Sequence, residues 1–471
     1  MDEFEKLYLK SRLACSNERN FQLLFQHSLS NLLCLGRHTI TGLICTRGFQ
    51  FNDWRREYQF YSQNKFNADK IFEQVRLDIC QRQSISDPLV VAMDDSILRK
   101  TGTKIPGVAY RKDPLGPKFH INLVRGQRVL QISAAVPSEN CSARMIPIDF
   151  IHAPSVKKPH RKATSEELDQ FKEMKKQQNL SLQGLGRLTK LRSDMPKEKA
   201  LWVSVDGSYT NRTVLKGLPQ DTVLIGRIRS DAKLNFLPDS INHFGRKKVY
   251  GEDAPTPEEL RKNDNIPYKT IKAYAAGKDH DFKYKTFDAV RWRAAGEKYT
   301  LRVIVIAPLG YRLTKNGKTL YRNPAYLICT DPSIPIEKII QAYLWRWDIE
   351  VNNRDEKNNL GLGQAQVRNK KSVDQTMKLS VASYACLLMA SINAFGTKDL
   401  PPMLPLPKWR DNNKKKRPSL HDLITMLRHE VWASSIINTS FSGFADKQHS
   451  NQKSEKVNFP LFDALFYSTG A

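Results

Sequence analysis

Apolar and polar residues alternate in different ways along this chain, and the changes divide it into regions. From residue 1 to about 85 the pattern is helical, with no strand-like alternation. Apolar runs typical of buried strands follow, each bounded by polar or turn residues. They are PLVVAMDD (88–95), KFHINLV (118–124), RVLQISAAV (128–136), ALWVSVD (200–206) and TVLIGRIRSD (222–231).

Two of these runs predict an antiparallel hairpin. KFHINLV and RVLQISAAV are separated by Arg125-Gly126-Gln127, and a glycine between two apolar runs indicates a turn. The stretch from 156 to about 194 is basic, and its composition predicts helices with less ordered segments between them.

The amino-acid composition and the hydrophobic pattern change again at about residue 231. A segment rich in Pro, Lys and Asp leads into strand-like alternation, which predicts a β-rich insertion up to 335. Helical periodicity runs from Ile336 to about 358. The apolar segment Leu379 to Phe395 contains serines and is shorter than the ~20 residues of a membrane span, which favours a buried core helix.

These regions predict an α/β protein. We expect a helical N-terminal region, two parts of one core separated by the insertion, and a C-terminal region with a basic Pro-rich loop (407–419) before one last helix. The predicted boundaries are 1–85, 86–230, 231–335, 336–400 and 401–471.

One segment of the N-terminal region suits DNA binding. HTITGLICTRG (38–48) predicts a short helix with a turn near Gly48, and FNDWRREYQFYSQ (51–63) predicts a second helix that carries Arg55, Arg56 and Tyr58. An ordinary helical hairpin would give the same pattern, so both interpretations stay open.

Charge narrows the choice of partner. The chain has 75 Lys and Arg against 48 Asp and Glu, a formal net charge of +27, and nucleic acid is the usual partner of such an excess. The seven cysteines are scattered without CxxC pairs, which favours reduced thiols in a cytosol over zinc or disulfides. The first residues lack a signal-peptide pattern, so we expect a soluble, cytoplasmic protein without membrane contact.

Three acidic positions are candidates for chemistry. The pair Asp94-Asp95 and the single Asp206 each end an apolar strand, and Glu350 lies on the helix after the insertion. Phosphodiester cleavage and transfer commonly use two divalent cations about 3.5–4 Å apart. Mg²⁺ prefers carboxylate oxygens and keeps several waters, so few protein ligands suffice. An isolated Asp at a strand end is more often a turn or cap residue.

The pattern of the helix around Glu350 favours a catalytic role for the three acidic positions over a role as isolated turn or cap residues. At 100° per residue, five polar side chains fall within a stripe about 80° wide, beside a second stripe with core spacing. The polar stripe is Tyr343, Arg346, Glu350, Arg354 and Lys357, and the predicted core stripe is Ile340, Leu344, Trp347 and Val351. A phenol and three cations around one carboxylate favour a phosphate chain beside a metal over a solvated salt-bridge face.

The same helix carries a family resemblance. YLWRWDIEVNNRDEK (343–357) has the spacing Tyr-x2-Arg-x3-Glu-x6-Lys, and it resembles the YREK signature of a large group of bacterial insertion-sequence transposases of the DDE class. The likeness continues in DDSILRKTG, in FHINLVRG with VLQIS, and in GLGQAQVR, and it covers roughly 85–400.

The resemblance implies an RNase H-like core interrupted by a β-strand insertion. Its order of elements is β-β-β-α-β-α-β-α, with carboxylates on the first strand, the fourth strand and the last helix. Asp95, Asp206 and Glu350 would then be the catalytic, metal-binding carboxylates. Asp95 is chosen because the family's first Asp is typically followed by a hydroxyl residue, here Ser96, while Asp94 or both remain open.

The resemblance also implies roles in DNA binding. Tyr343, Arg346 and Lys357 would hold phosphates of the transposon-end strand, and Arg354 lies on the same stripe. Trp292, between two arginines on a predicted strand, is a candidate for stacking on an extruded base, although a core-facing Trp fits the pattern slightly better.

Together these observations predict a DNA transposase that uses two Mg²⁺ or Mn²⁺ ions per active site. We expect it to bind terminal inverted repeats of double-stranded DNA as a homodimer, cut them, and join the 3′-hydroxyl ends to target DNA. Two alternatives are a non-transposing RNase H-like nuclease and a catalytically inactive DNA-binding protein derived from a transposase.

Overall fold

The computed structural model describes residues 1–113, 116–117, 119–156, 158–238, 248–314, 316–397 and 417–438. Most of the predicted Pro-rich loop (407–419) and the C-terminal tail after 438 lie outside the described residues.

Helices form the N-terminal region and recur between and after the strands, as the apolar spacing predicts. Some begin at capping residues: the side chain of Thr164 and that of Glu167 form a reciprocal capping box at the start of α6. The helices are α1 (Asp2–Lys10), α2 (Glu18–Leu33), α3 (Ile40–Thr46), α4 (Arg55–Ser62), α5 (Asp69–Gln81), α6 (Ser165–Gln177), α7 (Leu180–Ser193), α8 (Arg212–Gly217), α9 (Pro257–Lys262), α10 (Ile336–Trp345), α11 (Trp347–Asn358), α12 (Lys370–Phe395) and α13 (Leu420–Asn438).

The strands make the protein mixed α/β, which confirms the predicted class. Twelve of those in the described residues form one sheet, and β12 and β13 form a separate hairpin. The strands are β1 (Leu89–Arg99), β2 (Ala109–Lys112), β3 (Leu123–Pro137), β4 (Ala143–His152), β5 (Leu201–Val205), β6 (Thr222–Arg227), β7 (Leu234–Phe236), β8 (Asp253–Ala254), β9 (Lys269–Ala275), β10 (Lys278–Trp292), β11 (Leu301–Ile306), β12 (Gly310–Tyr311), β13 (Leu320–Tyr321) and β14 (Ala325–Cys329).

The first half of the sheet has the order β4-β3-β1-β5-β6. Strand β1 is antiparallel to β3 and parallel to β5, which is itself parallel to β6. The central strands are covered on both faces, which is why they are nearly continuous runs of Val, Leu and Ile. The carboxyl ends of β1, β5 and β6 therefore lie at one edge of this half.

Strands form in the range predicted to be a β-rich insertion, and most of them continue the same sheet. Strand β14 pairs antiparallel with β6, and β11, β10, β7 and β8 follow in that order. Strand β9 pairs with β10. The insertion therefore extends the core sheet within the described residues.

The predicted turn at Arg125-Gly126-Gln127 is wrong. Strand β3 runs straight through these residues, and Gly126 pairs with Arg99 on one side and with Ala109 on the other. A Cβ at Gly126 would lie 2.5 Å from the carbonyl oxygen of Leu98. The glycine marks a close approach of two backbones, which is the second meaning of a glycine inside a strand pattern.

Helix α12 is the central core helix. It packs against β4 and against the N-terminal helices α1, α2, α4 and α5. Among the described helices it is the one long and apolar enough to cross a membrane, but 78% of its apolar window is buried inside the protein. Such burial is typical of the core helix of a soluble protein, as predicted for Leu379 to Phe395.

Candidate active site

Asp94 and Asp206 lie where the parallel pairing of β1 with β5 ends: Asp94 is inside β1, and Asp206 directly follows β5. Met93 pairs with Val205, so the next residue of each chain segment follows in register. Equivalent positions of neighbouring strands share a face of the sheet. Ser204, two residues before Asp206, donates a hydrogen bond to the carbonyl of Ala342 at 3.1 Å, which places α10 on this face. Helix α11 lies on the same face, since Asn352 bonds to Ser133, which pairs with Ala92 of β1.

Asp95 points to the opposite face. The Tyr209 hydroxyl donates a hydrogen bond to Asp95 Oδ1 at 3.0 Å, and Arg128 Nε lies 3.2 Å from Asp95 Oδ2. Burial raises the pKa of Asp95, while Arg128 and the Tyr209 hydrogen bond lower it and the charge of Asp206 raises it. Asp95 is thus held within the protein by a phenol and a guanidinium.

The surroundings of Asp94 disfavour its charge. Burial raises the pKa of Asp94 to about 7, against the opposing effect of Arg346 and with further contributions from the negative charges of Asp206 and Asp95. Asp206 is fixed by its own loop, since the amide and the hydroxyl of Ser208 both donate to Asp206 Oδ1, at 2.9 and 2.6 Å. The carboxyl groups of Asp94 and Asp206 therefore lie at the same edge of the sheet.

The helix predicted from 336 to 358 is present but interrupted at Arg346. One helix ends at Trp345 and the next begins at Trp347. The amide of Ile349 bonds to the carbonyl of Arg346 at 3.1 Å, a tighter i to i+3 turn. The predicted core position of Trp347 is wrong: its side chain is 59% exposed.

Arg346 occupies the space between Glu350 and the strand ends. Its Nη2 donates to Glu350 Oε1 at 2.9 Å, and its guanidinium lies 5.7 Å from the ring centroid of Tyr343. Burial lowers the pKa of Arg346, but Tyr343, Glu350 and Asp94 outweigh it, so the net shift is upward. Burial raises the pKa of Tyr343.

Lys357 reaches the same strand from the far end of α11. Its Nζ donates a hydrogen bond to the hydroxyl of Ser96, two residues beyond Asp94 on one face of β1. Burial lowers the pKa of Lys357, and the charge of Asp94 is among the groups that raise it. Arg354, in contrast, is 64% exposed and pairs weakly with Asp355 at 3.3 Å. The structure brings Lys357 to the strand and leaves Arg354 at the surface.

Sequence reasoning missed the buried face of α11. Its buried residues are Ile349, Asn352, Asn353 and Glu356, whose spacing is that of a core face although three of them are polar. Asn352 Nδ2 donates to Ser133 Oγ at 3.1 Å and to the carbonyl of Met145 at 3.0 Å. The i, i+3, i+4, i+7 spacing was the available signal.

Two other predicted groups lie away from this edge. Trp292 pairs with Leu234 of β7 and packs against the main hydrophobic cluster, which fits the core-facing interpretation. Helices α3 and α4 are present, but residues 47–54 connect them, a longer link than the three or four residues of a helix-turn-helix. Arg55 is exposed there and pairs with Asp53.

Arg56 and Tyr58 are less exposed than Arg55. Arg56 Nη2 donates to the carbonyl of Arg19 at 3.2 Å. Burial raises the pKa of Tyr58, and a hydrogen bond with Thr41 lowers it. Both helices form as predicted, and DNA recognition by them stays a prediction.

The donor set suits a hard divalent cation, because every acidic group at the edge offers carboxylate oxygen. The carboxylate of Glu350 forms a salt bridge with Arg346. Within the described residues, no three Asp, Glu, His or Cys side chains converge closely enough to bind one metal ion. Asp94 and Asp206 would hold such an ion with Glu350 once Arg346 has another partner.

Comparison with protein-family models finds no match to this chain, and none of the curated proteins matches it.

Proposed function

We propose that this chain is a DDE transposase that binds terminal inverted repeats, cleaves them with a divalent metal and joins the 3′-hydroxyl ends to target DNA. The observation that carries the proposal is the arrangement of Asp94 and Asp206 where the parallel pairing of β1 with β5 ends, beside the helix that carries Glu350. Asp94 is preferred to Asp95 as the first ligand, because Asp95 points to the other face.

The order of elements supports an RNase H-like core. Strands β1, β3 and β4 come first, then α6 and α7, then β5, α8 and β6, and α10 and α11 follow the insertion. This is the β-β-β-α-β-α-β-α order expected from the resemblance, with β2 as a small addition. The carboxylates fall on the first strand, after the fourth core strand and on the last helix of that order.

The residues around the carboxylates suit the handling of a DNA strand. Arg346 and Lys357 are cations beside the acidic edge, and guanidinium groups bind phosphate in bidentate fashion. A phosphate that takes Arg346 as its partner would release Glu350. Bound divalent cations would supply charge stabilisation of the transition state. Tyr343, Arg346 and Lys357 would hold the strand in line.

The proposed reaction has two steps, and each forms one P–O bond and breaks another. Water attacks phosphorus at the element's end and the 3′-oxygen leaves as a hydroxyl. That 3′-hydroxyl then attacks a phosphodiester of the target and displaces the target's own 3′-oxygen. Two ends must react together, so a homodimer on DNA is expected. A net charge of +27 supports binding to the phosphate backbone.

A nicking assay tests the proposal. Plasmid DNA that carries the sequences flanking the gene is incubated with the full chain and Mg²⁺ or Mn²⁺. Asp206→Asn and Glu350→Gln should each lower nicking at least about 100-fold. Each variant lacks one carboxylate ligand of the divalent cation that would stabilise the negative charge of the transition state. Affinity for DNA should change little, because phosphate contacts by Lys and Arg dominate it.

Lys357→Ala is the matched variant on the same helix. It should keep some initial nicking, above all with Mn²⁺, and lose strand joining, because it positions the strand and offers no ligand for a hard cation. Nicking without joining by the wild-type protein would indicate the nuclease alternative. Specific binding without nicking would indicate the inactive DNA-binding alternative. Full nicking by Glu350→Gln would refute the three-carboxylate site.

A further inference from the structure

Beyond the acidic edge, β1 no longer pairs with its parallel neighbour β5 and continues beside β3 in a narrower part of the same sheet. Pairing of β1 with β5 ends at Met93, whereas pairing with β3 continues to Arg99. Strand β2 pairs with the first residues of β3. We call these three segments (β1 from 96, β2, and β3 up to 129), together with the described residues of the links between them (100–108, 113, 116–117 and 119–122), the β extension. It projects from the sheet edge where Asp94 and Asp206 lie.

The β extension is long enough to follow a DNA duplex away from the site. Leu130 is opposite Asp95, and Leu123 is seven residues farther along β3. At about 3.3 Å per residue, the tip lies roughly 23 Å beyond the carboxylates. That distance is about six to seven base pairs of duplex at ~3.4 Å each.

The charged residues of this segment are almost all cationic. Residues 99–128 contain eight Lys and Arg and one acid, Asp113. Asp113 is buried, and Arg99 Nη2 lies 3.1 Å from its Oδ2. Lys104 and Lys112 are exposed. Arg125 lies over the ring of Tyr110, 5.9 Å from its centroid. Arg111 is buried and Arg128 lies beside Asp95, so the exposed positive charge of the described residues comes mainly from Lys104 and Lys112.

Large apolar side chains are exposed at the end of the same extension. Tyr110 is 70% exposed, Phe119 89%, Ile121 81% and Leu123 55%. Apolar side chains in such a position usually meet a partner. The centre of a protein interface is depleted of lysine, whereas proteins that enter a DNA groove combine cations with apolar wedges. The combination favours DNA.

We propose that the β extension is a DNA-contacting arm. Its cations hold phosphates of the duplex beside the cut, and Phe119 and Ile121 contact base or sugar edges in a groove. The proposal rests on the proposed function only for the identity of the nucleic acid, and it adds a contact surface outside the acidic site and its signature helix.

The test measures binding of the full chain to a mixed-sequence 30-base-pair duplex in EDTA, over a range of salt concentrations. Phe119→Ser with Ile121→Ser should weaken binding about tenfold at every salt concentration, since an apolar contact releases no counterions. Lys104→Gln with Lys112→Gln should instead reduce the slope of log affinity against log salt by about two.

Control variants replace exposed residues elsewhere in the chain. Leu9→Ser with Leu13→Ser removes two exposed leucines in and just after α1. Lys6→Gln with Lys172→Gln removes two exposed lysines, which pair with Glu3 and Asp169. Both controls should bind within about twofold of wild type with unchanged thermal midpoints. Equal losses in control and test variants would overturn the proposal, because the effect would then be general.

Two further outcomes also decide against the arm. Unchanged DNA affinity in both test variants would exclude it. The mass of the Phe119→Ser, Ile121→Ser variant is also measured by sedimentation without DNA. If that mass differs from wild type while DNA affinity is unchanged, Phe119 and Ile121 serve contact between copies of this chain. Because no metal is present, failure of the arm is separate from failure of the proposed function: wild type that binds DNA but never nicks it refutes only the latter.

Discussion

At the scale of single residues, the main question is which of two adjacent aspartates reaches the site. The sequence shows both at a strand end but does not show which face each one meets. That choice depends on the pairing of Met93 with Val205, a contact between segments more than a hundred residues apart. Ser96, which directly follows Asp95, favours Asp95 as the first metal ligand in the sequence. Its hydroxyl, however, lies on the same face as Asp94 and accepts a hydrogen bond from Lys357.

The two aspartates should therefore respond differently to an isosteric change. Asp94→Asn should lower metal-dependent nicking at least about 100-fold with little effect on folding. Asp95→Asn should keep measurable nicking and lower the thermal midpoint, because Arg128 would lose its charged partner inside the protein. Nicking rates and melting curves of both variants check this. The reverse pattern would restore Asp95 as the first ligand.

At the scale of elements, the structure shows why some helices and strands are predictable from the sequence and others are not. The buried strands and the long helix α12 were predictable, because apolar runs and helical spacing have few other meanings. The turn at Gly126 was not, since a glycine also serves where two strands approach closely. The helix predicted from 336 to 358 is divided at Arg346 into α10 and α11, and most of the buried residues of α11 are polar, so a search for apolar spacing finds neither feature.

Glu356 is the most unusual residue of that core face. Its side chain is fully buried, and neither carboxyl oxygen has a hydrogen-bond partner within the described residues. Burial raises the pKa of Glu356 to about 8, although Gln131 and Lys357 oppose the shift. The acid should be neutral in the folded protein at neutral pH.

Glu356 should make stability depend on pH. Its pKa is higher in the folded chain than in the unfolded chain, so the folded state holds an extra proton between about pH 4.5 and 8. Stability from this group is present at the low end and is lost as pH rises to about 8, by up to about 1.4 kcal/mol per pH unit. Glu356→Gln should remove this loss.

Urea unfolding at pH 6 and pH 8 measures the effect. Wild type should lose more stability between the two pH values than Glu356→Gln does. Glu166→Gln, on the exposed surface of α6, is the control and should behave as wild type. Equal pH dependence in wild type and Glu356→Gln would show that Glu356 is ionised when folded.

At the scale of the whole molecule, the N-terminal helices and the predicted core form one hydrophobic interior. Phe4, Leu24 and Phe72 belong to the same buried cluster as Met377 and Leu388 of α12. Sequence patterns mark where helices begin and end, but they do not show that helices near residue 10 pack against one near residue 380. The boundary predicted at 85 therefore separates segments of sequence whose side chains share a core.

This shared core determines what a deletion can reveal. Removal of residues 1–85 would expose the apolar face of α12 that now packs against α1, α2, α4 and α5. Burial of each large apolar side chain contributes about 1.5–3 kcal/mol, and total stabilities are about 5–15 kcal/mol. The remaining chain should therefore aggregate or melt without cooperativity, as measured by its soluble fraction and by circular dichroism during heating. The double variant Trp54→Ala, Arg55→Ala changes exposed residues at the start of α4 and should melt like wild type. If the deleted chain stays soluble and melts cooperatively, the N-terminal helices are an independent domain and the shared core contributes little to folding.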